Sequence, residues 1–309
     1  MNHLESPLAS NQLATPGGVA CPVHPRWRLV LGIFKLRIGL LIMLTALAGM
    51  AIVPDGRVSF LQAVVLALSV LVASASAGAF NQYMEAGRDR LMARTRGRAF
   101  ASGALQPGAR WLVLMAVMLL GAVVAAGLVN NWMAALYVLA GALTYAFVYT
   151  LLLKPRTPWN IVIGGAAGSF AVLAGAAAVN PQPGILAWLL ALVLLLWTPP
   201  HFWSLAIANR EQYATAGVPM MPVVVGRERA ARVVHSSAVA LVAVSLLPLG
   251  FGAGWAYALG AIAGGGHFLR KTLALKREPI RARAMAAFFA SMAQLSLLIL
   301  GVWLDAALR

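Results

Sequence analysis

Runs of apolar residues about 20 long, the length a helix needs to cross a hydrocarbon core, recur along the whole chain between short polar, Gly or Pro breaks. Nine such segments are legible: Leu29 to Val53, Phe60 to Phe80, Trp111 to Val129, Trp132 to Leu153, Ile161 to Val179, Ile185 to Ala208, Val233 to Leu249, Gly254 to Leu269 and Met285 to Leu304. The seventh and eighth are separated only by Gly250 to Ala253, but together they are too long for one crossing. None has the alternation of a half-buried strand, so the pattern predicts an all-α polytopic membrane protein.

Composition agrees: 61% of the 309 residues are hydrophobic and 10% charged, more apolar surface than one water-soluble core can bury. The charged minority then tests the count of segments, because Lys and Arg are retained on the cytoplasmic side during insertion. Taken by alternate inter-segment regions, starting with the N-terminal flank, the 24 Lys and Arg divide 22 against 2. Nine crossings with a cytoplasmic N-terminus give that division, and an even number of crossings would scramble it. The formal charge of +16 therefore reports orientation, and nucleic acid is not an expected partner.

Residues 1–28 hold four prolines, adjacent glycines and scattered polar residues, with no apolar run of signal-peptide length, and are expected to be a disordered tail or a loose membrane contact. Residues 29–309 form the membrane domain. The single cysteine, Cys21, can make no internal disulfide and lacks the companions of a zinc site.

The richest chemistry stands where the second segment ends, in Asn81-Gln-Tyr-Met-Glu85-Ala-Gly-Arg-Asp89. On a helix each step of four residues advances about 40° around the axis and about 6 Å along it, so Asn81, Glu85 and Asp89 form one oxygen-bearing stripe. Carboxylates at a membrane boundary are costly unless paired or metal-bound, and an all-oxygen set suits Mg2+ carrying a diphosphate. Neutralisation by Arg88 and Arg90 alone is the plainer alternative. Against it, the stripe runs into Arg94-Thr-Arg96-Gly-Arg98, and clustered guanidiniums are the complementary half of a diphosphate clamp.

Asn81-x-x-x-Glu85-x-x-x-Asp89-x-x-Met92-x-Arg94-Thr95-Arg96 resembles the first signature of the UbiA-type intramembrane prenyltransferases. The stretches Tyr149 to Gly168, Trp197-Thr-Pro-Pro-His201-Phe-Trp203 and Tyr213-x-x-Ala216-Gly217-Val-Pro219-Met-Met-Pro222 resemble the haem O synthase branch of that family. The likeness covers roughly residues 29 to 304. It implies helices around a central cavity, Mg2+ as cofactor, farnesyl diphosphate as prenyl donor and haem B as acceptor, with a haem A synthase or terminal oxidase downstream.

The roles implied are mostly electrostatic. Asn81, Glu85 and Asp89 would hold Mg2+, while Arg94, Arg98, Lys154 and Arg156 would neutralise the departing diphosphate. Asn160 would bond the diphosphate or cap a helix. His201, after Pro199-Pro200 in an apolar helix, would ligate haem iron, steer a water, or bond a carbonyl freed by the prolines. The chain departs from the family at three places. Gln212 stands where an Asp is usual before Tyr213, leaving Glu211 as the nearby carboxylate and fourth metal ligand. Lys35-Leu36-Arg37 replaces Lys-Pro-Arg, and Ala171-Val172 replaces a proline pair.

Prenylation of a quinone ring is the alternative within the same chemistry. A cation-coupled transporter fits less well, since the carboxylates lie beside arginines at one membrane face and not between broken helices at midplane. A bacterial inner membrane is the expected location, and the charge pattern puts the site on its cytoplasmic side. Single cysteines placed in the Asn81 to Arg110 loop and in the Asn209 to Arg232 loop should therefore both react with an impermeant maleimide only from the cytoplasmic side; labelling from opposite sides would dissolve the shared site.

Overall fold

The computed structural model of the chain describes residues 26–54 and 58–308, and the expectations for the tail before residue 26, Cys21 included, lie outside them. The described residues contain helices and no strand. In chain order the helices are α1 (Arg26–Ile33), α2 (Leu36–Ala51), α3 (Phe60–Met84), α4 (Ala86–Arg90), α5 (Ala109–Val129), α6 (Trp132–Leu143), α7 (Asn160–Gly164), α8 (Ala166–Val179), α9 (Ile185–Ala208), α10 (Arg210–Thr215), α11 (Met221–Val225), α12 (Arg227–Leu246), α13 (Trp255–Arg277) and α14 (Arg281–Leu308). A π-helical stretch, Thr144–Leu153, continues α6, and a 3-10 turn, Leu247–Phe251, continues α12.

Every expected apolar segment falls on a helix, and seven helical stretches are long and apolar enough to cross a membrane. An eighth span results if α1 and α2, bent by 44° at their junction, count as one. The break expected near Gly250 is real: the 3-10 turn closes on Gly252, whose φ of 97° is readily available only to glycine, and α13 starts anew. Asp305 at the end of α14 caps that new start by accepting from the amides of Gly254 (2.6 Å) and Ala256 (3.0 Å).

The outer surface is apolar, with Phe60, Val117, Leu128 and Leu259 all more than half exposed. Exposed Trp132 and Trp255 open α6 and α13 at one end of the bundle, and exposed Trp159 lies at the other. Those are the positions at which indole rings settle in the two headgroup layers.

Inside, association cannot draw on water exclusion, so helices must approach closely. Small residues permit it. A Cβ on Gly49 of α2 would overlap the carbonyl oxygen of Val172, and one on Gly175 of α8 would overlap that of Ala46. Ala171-Val172, in place of prolines, leaves α8 unbroken through this contact. Gly260 of α13 and Gly301 of α14 make the same kind of contact, against the backbones of Leu297 and Ala256. Helices α2, α3, α5, α6 and α8 thus form one half of the bundle, and α9, α12, α13 and α14 the other, joined where α8 meets α9 and α14 meets α2.

Gly49→Ala and Gly175→Ala should each lower the detergent melting temperature, since overpacking against backbone costs about 1–3 kcal/mol. Gly121→Ala is the control, because its Cβ would meet nothing within 4 Å. Equal melting of all three variants would show that the α2–α8 contact does not limit stability.

Candidate functional site

The acidic stripe is not one continuous helix. Helix α3 ends at Met84, Glu85 adopts φ −93° and ψ 2°, and the short α4 follows. The four-residue spacing survives the break, because Glu85 N donates to Asn81 O (3.0 Å) and Asp89 N to Glu85 O (2.8 Å). Asn81, Glu85 and Asp89 are all buried.

The arginine-rich chain that follows folds back over them. Buried Phe100 packs edge-on against Tyr83 (5.4 Å between centroids) and Trp111 (5.7 Å), and Arg90 Nε donates to Ala101 O at 2.8 Å. Thr95 Oγ1 donates to Asp89 O at 3.0 Å, closing the turn that brings Arg98 round.

Each member of the stripe has acquired a cation. Arg98 Nη1 donates to Asp89 Oδ2 at 2.8 Å. Lys154 Nζ donates to Glu85 Oε2 at 2.6 Å and stands equally near Oε1. Lys35 Nζ donates to Asn81 Oδ1 at 2.5 Å. Two of these partners come from distant segments, and the π-helical stretch is what aligns one of them. Its five-residue winding places Tyr145 with Thr150 and Tyr149 with Lys154 on one face, so that Thr150 Oγ1 donates to Tyr145 O (2.8 Å) and Lys154 N to Tyr149 O (2.9 Å). The two tyrosine rings stack at 5.5 Å, with Lys35 Nζ 5.7 Å from one and Lys154 Nζ 5.6 Å from the other.

The cations do not exhaust the acceptors. Asp89 Oδ1 and Asn160 Oδ1 are buried with no hydrogen-bond partner among the described residues, and the two Glu85 oxygens share the single Lys154 ammonium. A buried carboxylate oxygen without a donor is expensive, and a hard divalent cation is the species whose preference matches an all-oxygen set. The residues present thus fit Mg2+. A cleft of about 330 Å3 opens beside Glu85, lined by Met84, Arg88, Thr150, Leu151, Pro155 and Arg156, half of them polar or charged.

The second loop reaches the first directly. Gln212 Oε1 accepts from the amide of Arg94 (3.2 Å), and Arg94 Nη2 donates to the buried Tyr213 hydroxyl (3.4 Å). Glu211 departs from expectation: it is exposed and ion-paired with Arg227, because its place on α10 points it away from the face that Gln212 presents. Among the described residues no three acidic, His or Cys side chains gather as a metal cluster. Arg156 donates to the carbonyls of Leu151 and Leu152 at 2.9 Å, closing the end of the π-helix beside the cleft. Asn160, fully buried, donates to Thr157 O at 2.5 Å.

His201 lies apart from this cluster. Its ring is sandwiched by Trp197 (4.1 Å) and Phe288 (4.4 Å), and Nδ1 is 2.7 Å from Ser291 Oγ. No carbonyl freed by Pro199 or Pro200 is its partner. Ser291 Oγ donates to Phe288 O (2.6 Å), so it can only accept from the ring, which places the proton on Nδ1 and leaves Nε2 a lone pair.

Lys35, Tyr145 and Thr150 entered none of the site assignments drawn from sequence. For the first, the signals were a lysine within the first apolar segment and its place in the Lys35-Leu36-Arg37 counterpart of Lys-Pro-Arg; the five-residue spacing of the others has no counterpart in a search for periods of 3.6.

The family model of the UbiA prenyltransferases matches residues 42–293. The chain is 50% identical over 279 residues to the protoheme IX farnesyltransferase 2 of Paramagnetospirillum magneticum, covering 90% of this chain and 96% of that protein. It is 43% identical to protoheme IX farnesyltransferase 1 of the same organism, covering 90% and 98%. Among solved structures, a digeranylgeranylglyceryl phosphate synthase superposes with a TM-score of 0.76 at 18% identity, over 92% of this chain and 99% of that one. A UbiA homologue from Archaeoglobus fulgidus, bound to GPP and Mg2+, superposes at 0.63 and 16% identity, over 87% and 99%. With its bundle, its buried acidic stripe and these relatives in agreement, the chain belongs to the UbiA prenyltransferase family.

Proposed function

We propose that the protein transfers the farnesyl group of farnesyl diphosphate to a vinyl group of haem B, giving the hydroxyethylfarnesyl product, haem O. The observation that carries this reading is the pair of buried carboxylates, each held by a single cation, in a chain half identical to a protoheme IX farnesyltransferase over nearly its whole length.

In this reading Asn81, Glu85 and Asp89 hold Mg2+, which when bound neutralises diphosphate and makes it a better leaving group. Lys154 and Arg98 stand at the carboxylates themselves and Arg94 beside them on Tyr213, cations available for the negative charge that grows as the allylic carbon–oxygen bond breaks. Arg156 extends the clamp in the lining of the cleft, buried Asn160 offers its unpartnered Oδ1 behind it, and Tyr213 fixes Arg94. The haem vinyl carbon supplies the electron pair for the new bond, and water quenches the resulting cation. His201, with Nε2 unengaged, serves the acceptor end as a base for that water or as a ligand for iron.

We further propose nine crossings, with the junction of α1 and α2 inside the first and α13 as the eighth. The N-terminus and the site then face the cytoplasm of a bacterial inner membrane. Haem O leaves for a haem A synthase or a terminal oxidase.

Purified protein given haem B, Mg2+ and farnesyl diphosphate should yield haem O by mass analysis of the extracted haem. A prenylated quinone and unchanged haem would overturn the assignment. Glu85→Gln and Asp89→Asn should each cut transfer by at least about a hundredfold without unfolding the protein, since a metal ligand matters more than the outer-shell partners whose loss already costs up to that much. Near-normal turnover of either would remove the metal from the stripe.

Because Glu211 is held by Arg227 while Gln212 touches Arg94, Glu211→Gln should keep transfer within about threefold and Gln212→Asp should tighten Mg2+ by adding a charge beside the site. A Mg2+ titration of both variants decides the matter; a severe loss in Glu211→Gln, rescued by high Mg2+, would make Glu211 the second-loop ligand instead.

A further inference from the structure

Lys35 is a cation with no carboxylate of its own. Among the described residues it forms no ion pair, and its Nζ donates only to the neutral Asn81 Oδ1 (2.5 Å) and Tyr145 hydroxyl (3.3 Å). The backbone is strained to put it there. Lys35 has φ 49° and is the one non-glycine residue at positive φ among those described, an arrangement that persists only where surroundings enforce it.

The surroundings are visible. Gln82 Nε2 donates to the carbonyls of Gly32 (2.9 Å) and Ile33 (3.0 Å), satisfying the end of α1 at the bend. The lysine stem lies against Gly78, with Cβ and Cδ each 3.5 Å from where a Cβ would stand, an ordinary packing distance.

The orientation of Asn81 is also determined. Thr150 Oγ1 spends its proton on Tyr145 O, so toward Asn81 it can only accept, which requires Nδ2 there (3.0 Å) and turns Oδ1 to Lys35. The oxygen that the proposed metal set needs is therefore the one Lys35 occupies. Two cations cannot share a single amide oxygen at this range, because their mutual repulsion exceeds the attraction of a neutral dipole.

We propose that Lys35 is the resident counter-cation of the metal site, yielding Asn81 Oδ1 to Mg2+ and turning its ammonium onto the diphosphate that the metal brings. No covalent step is involved. The inference rests on the Mg2+-diphosphate reading of the stripe but not on the identity of the acceptor, and it is read by binding alone, so failure of haem farnesylation leaves it testable.

The test is calorimetric, on detergent-purified full-length protein with Mg2+ alone and then with inorganic diphosphate at saturating Mg2+. Lys35→Met should bind Mg2+ on the order of tenfold more tightly, having lost a competitor, and diphosphate on the order of tenfold more weakly, having lost a charge-assisted hydrogen bond. Lys35→Gln keeps a polar but shorter side chain with an amide donor and no charge, and should show the same two opposite shifts at smaller amplitude for Mg2+. A prop for the α1–α2 bend would instead lower the melting temperature and move both affinities together, or neither. Either of those results overturns the proposal.

Discussion

Two carboxylates placed at the edge of an apolar bundle set the terms for everything around them. Left alone, a buried carboxylate would take up a proton or drive the helix end into water. Here Lys154 stands at hydrogen-bond distance from both Glu85 oxygens and Arg98 from one Asp89 oxygen, so two carboxylates are served by one cation each and Asp89 Oδ1 has no partner. That half-satisfied state is poor design for stability, since burying an ion pair returns little once desolvation is counted. It is good design for a site that must accept a divalent cation with a polyanion and later release both.

The rest of the fold serves that arrangement. Lys154 reaches Glu85 because a π-helical stretch rotates it onto the face of Tyr149, and Arg98 reaches Asp89 because Phe100 pins the returning loop between Tyr83 and Trp111. Lys35 reaches Asn81 through a bend held by Gln82. The glycine contacts between α2 and α8, far along the same helices, keep the bundle tight enough for these side chains to meet. Remote backbone contacts and the site are thus parts of one mechanical argument.

Much of this was legible in the residues. Apolar run length foretold the helices, and the four-residue spacing of Asn81, Glu85 and Asp89 foretold the stripe, because both depend on local period. The break at Glu85 was not legible, since the hydrogen bonds on either side keep the helical spacing through it. Nor was the fate of Glu211: two neighbouring residues point about 100° apart on a helix, and only the docking of the loop on Arg94 decides which of them faces inward. The roles of Tyr145 and Thr150 were hidden by a winding that no 3.6-residue period reveals. His201 shows the same limit, for Ser291, 90 positions away, sets its tautomer.

The central claim is that the carboxylates of Glu85 and Asp89, with Asn81, receive the metal. An anomalous-scattering map of the protein crystallised with Mn2+ and a non-hydrolysable farnesyl diphosphate analogue tests it directly. The account predicts a Mn2+ peak coordinated by Glu85 Oε1 and Asp89 Oδ1 and bridging to the diphosphate. A peak elsewhere, with both carboxylates still engaged only by Lys154 and Arg98, would contradict it.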